Sequence, residues 1–185
     1  LSLLQGGFGG LEPLVGTGWD CVLTLGNGLP HVDGAAGLRA ALHDFAAIVR
    51  PGGLAVLHLL NHTRLIDGRI RMLPPVFRET PDGDRVFLKV IDRVTDGILF
   101  DFVTLTRPFS GDVRPSGTSA HDDPAETGWH LRSRRSLHAA LPFELLSTAL
   151  TDAGFTAVTA YGDHSGKRFA PHDDESVIVV AQRAG

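Results

Sequence analysis

Apolar and polar positions divide the chain into three stretches with different periods. In the first, apolar runs alternate with a helix-length amphipathic segment. Ser2–Leu4 is a short strand candidate ahead of the glycine-rich "QGGFGG". Trp19–Leu25, "WDCVLTL", is apolar on both faces, as a central parallel strand would be. Asp33 is placed to cap a helix running to about Arg50, with Leu38, Leu42, Phe45 and Val49 on one face. "RPGG", Arg50–Gly53, stops that helix, and Leu54–Leu60, "LAVLHLL", is a second buried strand. Strands separated by helix-length segments imply a parallel sheet with right-handed crossovers.

The period shortens after Asn61. "RVFLKVIDRV" and "GILFDFVTLTR" flank Thr95-Asp96-Gly97, and Asp-Gly between strand-like runs predicts a hairpin. A further strand is expected within Trp129–His138, after the Gly-, Pro-, Ser- and Asp-rich segment Pro108–Thr127, which reads as a mobile loop. The helical period then returns. Pro142 suits a first turn and Gly154 a C′ position, with Leu145, Leu146, Ala149, Leu150 and Ala153 as the buried stripe. Phe155–Tyr161 and Ser176–Ala181 are two closing strands. The expected organisation is an incomplete α/β core, residues 1–67 and 139–185, with an antiparallel β lid, residues 68–138, inserted in it.

Composition narrows the function classes. A chain of 185 residues with 43% hydrophobic and 21% charged content can bury one real core. The net charge is −4 and no Lys/Arg run stands out, so nucleic acid is not an expected partner. No apolar run reaches the length of a membrane span and there is no signal peptide, so no membrane partner is expected either. Cys21 is alone in an apolar run; it reads as a small buried hydrophobe in a reducing, cytoplasmic compartment. The chain begins at Leu1, and "LSLL" resembles the middle or end of a strand, so the N-terminus of a larger domain is expected to be missing. A central strand left at an edge would favour pairing, which makes a homo-oligomer possible.

Two strand candidates end alike, at Leu25-Gly26-Asn27 and Leu59-Leu60-Asn61. In open parallel sheets ligands bind beyond the carboxyl ends of the strands. If the strands are neighbours, both amides reach one crevice, and Gly26 lets a ligand approach the backbone. The competing reading is that each Asn closes its own turn. His31 is a candidate proton acceptor, or equally a loop histidine ordered by a carbonyl. His58 and His62 have i,i+4 spacing, but Leu59 stands where a zinc protease motif has Glu, so zinc is not expected there. His121-Asp122-Asp123 and His172-Asp173-Asp174 could hold a divalent ion, though solvated loop charge is the simpler reading.

"WDCVLTLGNGLPHV", "IVRPGG", "LAVLHLLNHTRL" and "FTAVTAYGDHSG…VIVVAQR" together resemble the second half of a class I S-adenosylmethionine-dependent methyltransferase, nearest to the glycine/sarcosine N-methyltransferase-like group. The resemblance implies a partial Rossmann-like methyltransferase sheet and S-adenosyl-L-methionine as cofactor. The activity it implies is methyl transfer to a nitrogen or oxygen of a small molecule, by a fragment lacking the Gly-rich cofactor loop. A catalytically degenerate binding or scaffold protein is the alternative. It places Gly7, Phe8, Leu25, Gly26 and His31 at the cofactor and Asn27 and His31 at the reacting centre. For the acceptor the resemblance points to Asn27 and Asn61; from the strand pattern, Tyr161 ends a closing strand near the same crevice and could wall the pocket, and Arg134, grouped with Arg132 and Arg135, could meet an anionic substrate, though an exposed strand face is the simpler reading. Gly7 replaces the family's usual Asp or Asn, and His62-Thr63 replace Tyr-Asp after Asn61. Leu60 stands where glycine N-methyltransferases carry a carboxylate-gripping arginine, so glycine is a poor expectation for the acceptor. The isolated chain is expected to bind cofactor weakly.

Overall fold

The computed structural model of the chain describes residues 2–67, 70–95, 97–108 and 128–185. In chain order the elements are α1 (Glu12–Val15), β1 (Trp19–Thr24), a 3₁₀ turn (Leu29–His31), α2 (Gly34–Ile48), β2 (Val49–Leu60) and α3 (His62–Ile66). β3 (Met72–Thr80), β4 (Gly83–Val94), β5 (Gly97–Pro108), β6 (His130–His138), α4 (Phe143–Asp152), β7 (Phe155–Tyr161) and β8 (Ser176–Arg183) follow. They form two compact units. One comprises Leu1–Arg69, Arg93–Ile98 and Leu137–Gly185, the other Ile70–Asp92 and Leu99–Ser136.

The first unit is built on a sheet of order β1-β2-β8-β7. β1 and β2 are parallel, with Leu23 opposite Val56 and Thr24 opposite Leu57. β8 runs antiparallel to β2 and to β7, so β1, β2 and β7 share one direction. The alternation along β2 sends Ala55, Leu57 and Leu59 to a fully buried face. There they meet Leu38, Leu42 and Phe45 of α2 and Leu146 and Leu150 of α4, the stripes that helical spacing predicts. Leu145 leaves its expected stripe and is exposed. α4 ends as expected, with Gly154 at φ +90° just beyond it.

Four expectations are corrected. Ser2–Leu4 forms no strand, and Leu3 and Leu4 are exposed, because no described strand is available to pair with them. β1 is an edge strand rather than a central one, with Trp19 and Leu23 more than half exposed. Cys21 lies on that edge and is exposed rather than buried. "RPGG" lies inside β2, where the register against β1 shifts between Trp19 and Cys21.

The second unit is a sheet of order β3-β4-β5-β6. Asp96 and residues 109–127, including His121-Asp122-Asp123, lie outside the described residues. β4, β5 and β6 occupy the runs expected of them. β3 was not expected, because Pro74-Pro75 removes two ladder donors. It survives as an edge strand whose register shifts between Leu73 and Val76, across the prolines. Ile91 and Phe100 are its fully buried apolar side chains, and Asp84, also buried, pairs with Arg107. Arg135 brackets the carboxylate of Asp101 at 2.8 and 2.9 Å and holds its carboxyl below the usual range. Arg134 is an exposed residue of β6.

A Cβ on Gly53 would lie 2.6 Å from Val49 Cγ1 and 2.8 Å from the Asp20 carbonyl oxygen of the neighbouring strand. Gly53→Ala is therefore expected to cost about 1–3 kcal/mol, measured by urea denaturation, as overpacking generally does.

Candidate functional site

The carboxyl ends of β1, β2 and β7 lie along one rim of the first unit's sheet. Gly26 (φ +68°) and Asn27 (φ +64°) make a tight left-handed reversal after β1, a conformation that Asn tolerates better than most residues. The reversal turns the Asn27 N–H onto the carbonyl of His58 at 3.1 Å. Asn27 Oδ1 accepts from the Leu60 N–H at 3.0 Å, and Nδ2 lies 3.4 Å from His138 Nδ1. The asparagine thus ties the end of β1 to the end of β2 and to His138, the last residue of β6.

Asn61 is also a neighbour, as parallel pairing of the two strands requires, but its amide is fully engaged within the chain. Nδ2 donates to the carbonyls of Pro171 and Asp174 at 2.8 and 2.7 Å, and Oδ1 accepts from the Arg64 N–H at the start of α3. Its side chain is buried. Asn61 thereby holds the 171–174 loop and α3 in place, the turn-closing use of an asparagine rather than an open ligand arm.

His31 ends the 3₁₀ turn, where Pro30 presets the backbone, and its ring is exposed. It sits on His138, with ring centroids 4.1 Å apart and planes 61° apart. His138 is 2% exposed, and the next residue donates its N–H to the Pro30 carbonyl at 2.8 Å. His62 lies buried beside them and accepts from the Leu141 N–H through Nδ1 at 2.9 Å. Its Nε2 is buried with no hydrogen-bond partner among the described residues. Burial, and then the nearby His138, push its pKa down to about 4. His58, on β2, meets the ring of His164 at 5.5 Å, and its pKa is lowered by burial and by that neighbour.

The other residues singled out in the sequence are distributed around this rim and away from it. Leu25 is 57% exposed, and a Cβ on Gly26 would meet nothing within 4 Å, so the backbone there is open to a ligand. Tyr161 ends β7, half-buried, opposite Ile178, which also faces His58 across β8. Two strand spacings, about 10 Å, therefore separate Tyr161 from His58. Phe8 packs edge-on against Phe45 at 5.8 Å, and Asp44 accepts from the N–H groups of Gly9, Gly10 and Leu11. Phe45 lies eleven helical residues beyond Gly34, about 17 Å of rise along α2. Gly7 and Phe8 are thus docked toward the far end of α2, apart from Leu25, Gly26 and His31. His172 faces Asp67 at 3.8 Å, whereas Asp174 pairs with Lys167 and the Ala170 N–H. Lys167 first, and that N–H next, keep the Asp174 carboxyl below its usual range. Among the described residues, no group of three His, Cys, Asp or Glu side chains is placed to hold a metal ion. No helix among them is long and apolar enough to cross a membrane.

His138 is the site residue that sequence reasoning passed over. It was visible as a polar residue closing a strand candidate, but its meeting with Asn27 joins positions 111 residues apart. Beside it is a cavity of about 390 Å³, walled by Gly34, Ala35 and Leu38 of α2 and by Ala139, Leu141 and Leu145. Its walls continue the two segments that carry His31 and His138.

For S-adenosylmethionine, Leu25 and the open backbone at Gly26 fit as an apolar wall at a strand end. The described residues hold no strand on the free side of β1 from which a ribose-binding acid could project.

Replacing Asn61 by Ala leaves a buried and a part-buried carbonyl without their donor and should cost about 2–3 kcal/mol in urea denaturation. The lowered pKa of His62 means that the unfolded chain binds the extra proton first as pH falls. Stability should therefore be full above about pH 6.5 and decline toward pH 4, by about 3 kcal/mol from this residue. His62→Asn, which keeps an acceptor for Leu141 and does not titrate, should flatten that decline when denaturation is compared at neutral and acid pH.

Comparison with solved structures finds this fold in methyltransferases. An S-adenosylmethionine-dependent methyltransferase from Clostridium acetobutylicum matches with a TM-score of 0.66 and 9% identity, over 92% of this chain and 61% of that one. A SAM-bound amino pentose methyltransferase of calicheamicin biosynthesis from Micromonospora echinaspora matches at 0.65 and 17%, over 92% and 60%. A sugar N-methyltransferase from a Streptoalloteichus species matches at 0.64 and 16%, over 92% and 58%. The chain spans about three-fifths of the length of these proteins. No family model matches the sequence, and no curated protein matches it. At such identities the likeness is one of fold: the chain is a structural match to class I S-adenosylmethionine-dependent methyltransferases.

Proposed function

We propose that this chain forms the acceptor side of an S-adenosylmethionine-dependent methyl transfer to a small molecule, with His31 as the proton acceptor. One observation carries the reading: an exposed His31 ring, backed by a buried histidine, stands beside open backbone at the carboxyl end of a parallel strand. The fold likeness to methyltransferases supports it. When bound, S-adenosylmethionine supplies an electrophilic methyl group on a sulfonium that leaves readily. Leu25 and Gly26 would hold it from the strand end.

The chain's own work is alignment and proton removal. An acceptor amine would lie with its lone pair toward the methyl group and its N–H toward His31, which takes the proton as the new N–C bond forms. The amino pentose and sugar N-methyltransferases among the structural neighbours favour nitrogen over oxygen as the acceptor atom. The 390 Å³ cavity, within the usual range for small-ligand sites, would take the apolar body of that acceptor. Leu60 cannot clamp a carboxylate, which argues against glycine even if the chain belongs with the glycine/sarcosine group. Asn27 acts here through the residues it holds, and Tyr161 would close the far side of the rim.

Calorimetry of the full-length protein with S-adenosylmethionine and with its demethylated product tests the reading; binding of either is expected, and no heat with both would end it. His31→Gln should then lower transfer to an amino-sugar acceptor by about 10²–10⁴-fold with cofactor affinity unchanged. A second reading, a non-catalytic binding fold, is favoured by the internal use of both asparagine amides. It predicts binding without turnover.

A further inference from the structure

The contacts around His138 fix more than its position. The Leu60 N–H donates to Asn27 Oδ1 at 3.0 Å, and this sets which end of the amide faces which way. The Nδ2 end, which can only donate, is the one turned toward His138 Nδ1 at 3.4 Å. His138 Nδ1 must therefore be the accepting nitrogen, because a proton there would set two donors against each other. The ring proton belongs on Nε2. His62 obeys the same logic, since its Nδ1 accepts from the Leu141 N–H. Among the described residues, His31, from the 3₁₀ turn, and His62, from α3, are titratable groups that meet His138. Of the three rings, only that of His31 is exposed.

We infer that His138 is a positioning residue: Asn27 holds it as the neutral Nε2–H tautomer, and its ring fixes the plane of the exposed His31. The arrangement divides the labour of a histidine pair. His138 has its Nδ1 lone pair engaged by an amide and gives His31 a rigid, uncharged support. His31 keeps its own ring nitrogens for whatever occupies the rim. A histidine ring on a surface turn would otherwise sample several rotamers, and a proton acceptor displaced by an ångström loses much of its effect. That His31 accepts a proton rests on the methyl-transfer reading above; the tautomer and the support do not.

Nitrogen–proton correlation NMR of the histidine-labelled protein at neutral pH tests both. His138 is expected to carry its proton on Nε2, and His31 to show ring-to-ring nuclear Overhauser contacts with it and restricted ring motion. Asn27→Asp keeps an oxygen for the Leu60 N–H and replaces the amide donor with an acceptor, so the His138 proton should move to Nδ1. His138→Phe should preserve the order of the His31 ring, and His138→Ala should abolish it. If His138→Ala does not fold, the other two variants carry the test. An Nδ1–H tautomer in the unmodified protein, no change in Asn27→Asp, or a disordered His31 ring in folded His138→Phe would overturn the inference. These readouts need neither cofactor nor acceptor, so their failure is separable from failure of the methyl-transfer reading.

Discussion

The rim of this sheet depends on one amide. Asn27 accepts from Leu60, donates toward His138 and, through its backbone, reaches His58. The ends of β1, β2 and β6, distant in sequence, meet at this one residue. The left-handed backbone at Gly26 and Asn27 makes this possible, because only a tight reversal returns the chain to the β2 end at once. Without that tie, the 3₁₀ turn would hang from an exposed edge strand by its own local bonds.

Asn61 does the same for the other side of the rim. Its buried amide ties α3 to the 171–174 loop, and Asp174, held by Lys167, organises the far end of that loop. The two asparagine amides thus tie strand ends to the segments around them, Asn27 to β2 and His138 and Asn61 to α3 and the 171–174 loop. Side chains with both donor and acceptor capacity can satisfy several orphan backbone groups where strands end and ladders stop. Such a scaffold can present His31 to solvent while His62 and His138 stay buried.

The histidines show how burial separates identical side chains. His62 is pushed to a pKa of about 4 because nothing nearby compensates a charge taken from water. His31, a few ångströms from its neighbour, remains exposed. The chemical difference between them comes from the elements that carry them. A short helix packed under the rim buries one, and a proline-led turn on its outside displays the other.

Local periodicity in the sequence determined most of the elements by itself: the α2 and α4 stripes, the β2 alternation, the hairpin of β4 and β5, and the glycine that ends α4. Each follows from bonds and contacts within a few residues, so the pattern is legible without the fold. The polar loop after β1 was legible as a strand end, and Gly26 and His31 are exposed there. Only tertiary structure decided that β1 is an edge, since apolar residues do not reveal which strands will be present to cover them. β3 stayed hidden because its prolines are tolerated only at an edge and a register shift, both properties of the assembled sheet. The contacts of Asn27 with His138 and of Asn61 with Asp174, and the edge-on packing of His31 against His138, join positions more than 100 residues apart. Non-local hydrogen bonds leave no period in a sequence, and they are what engage the amides of Asn27 and Asn61 within the chain.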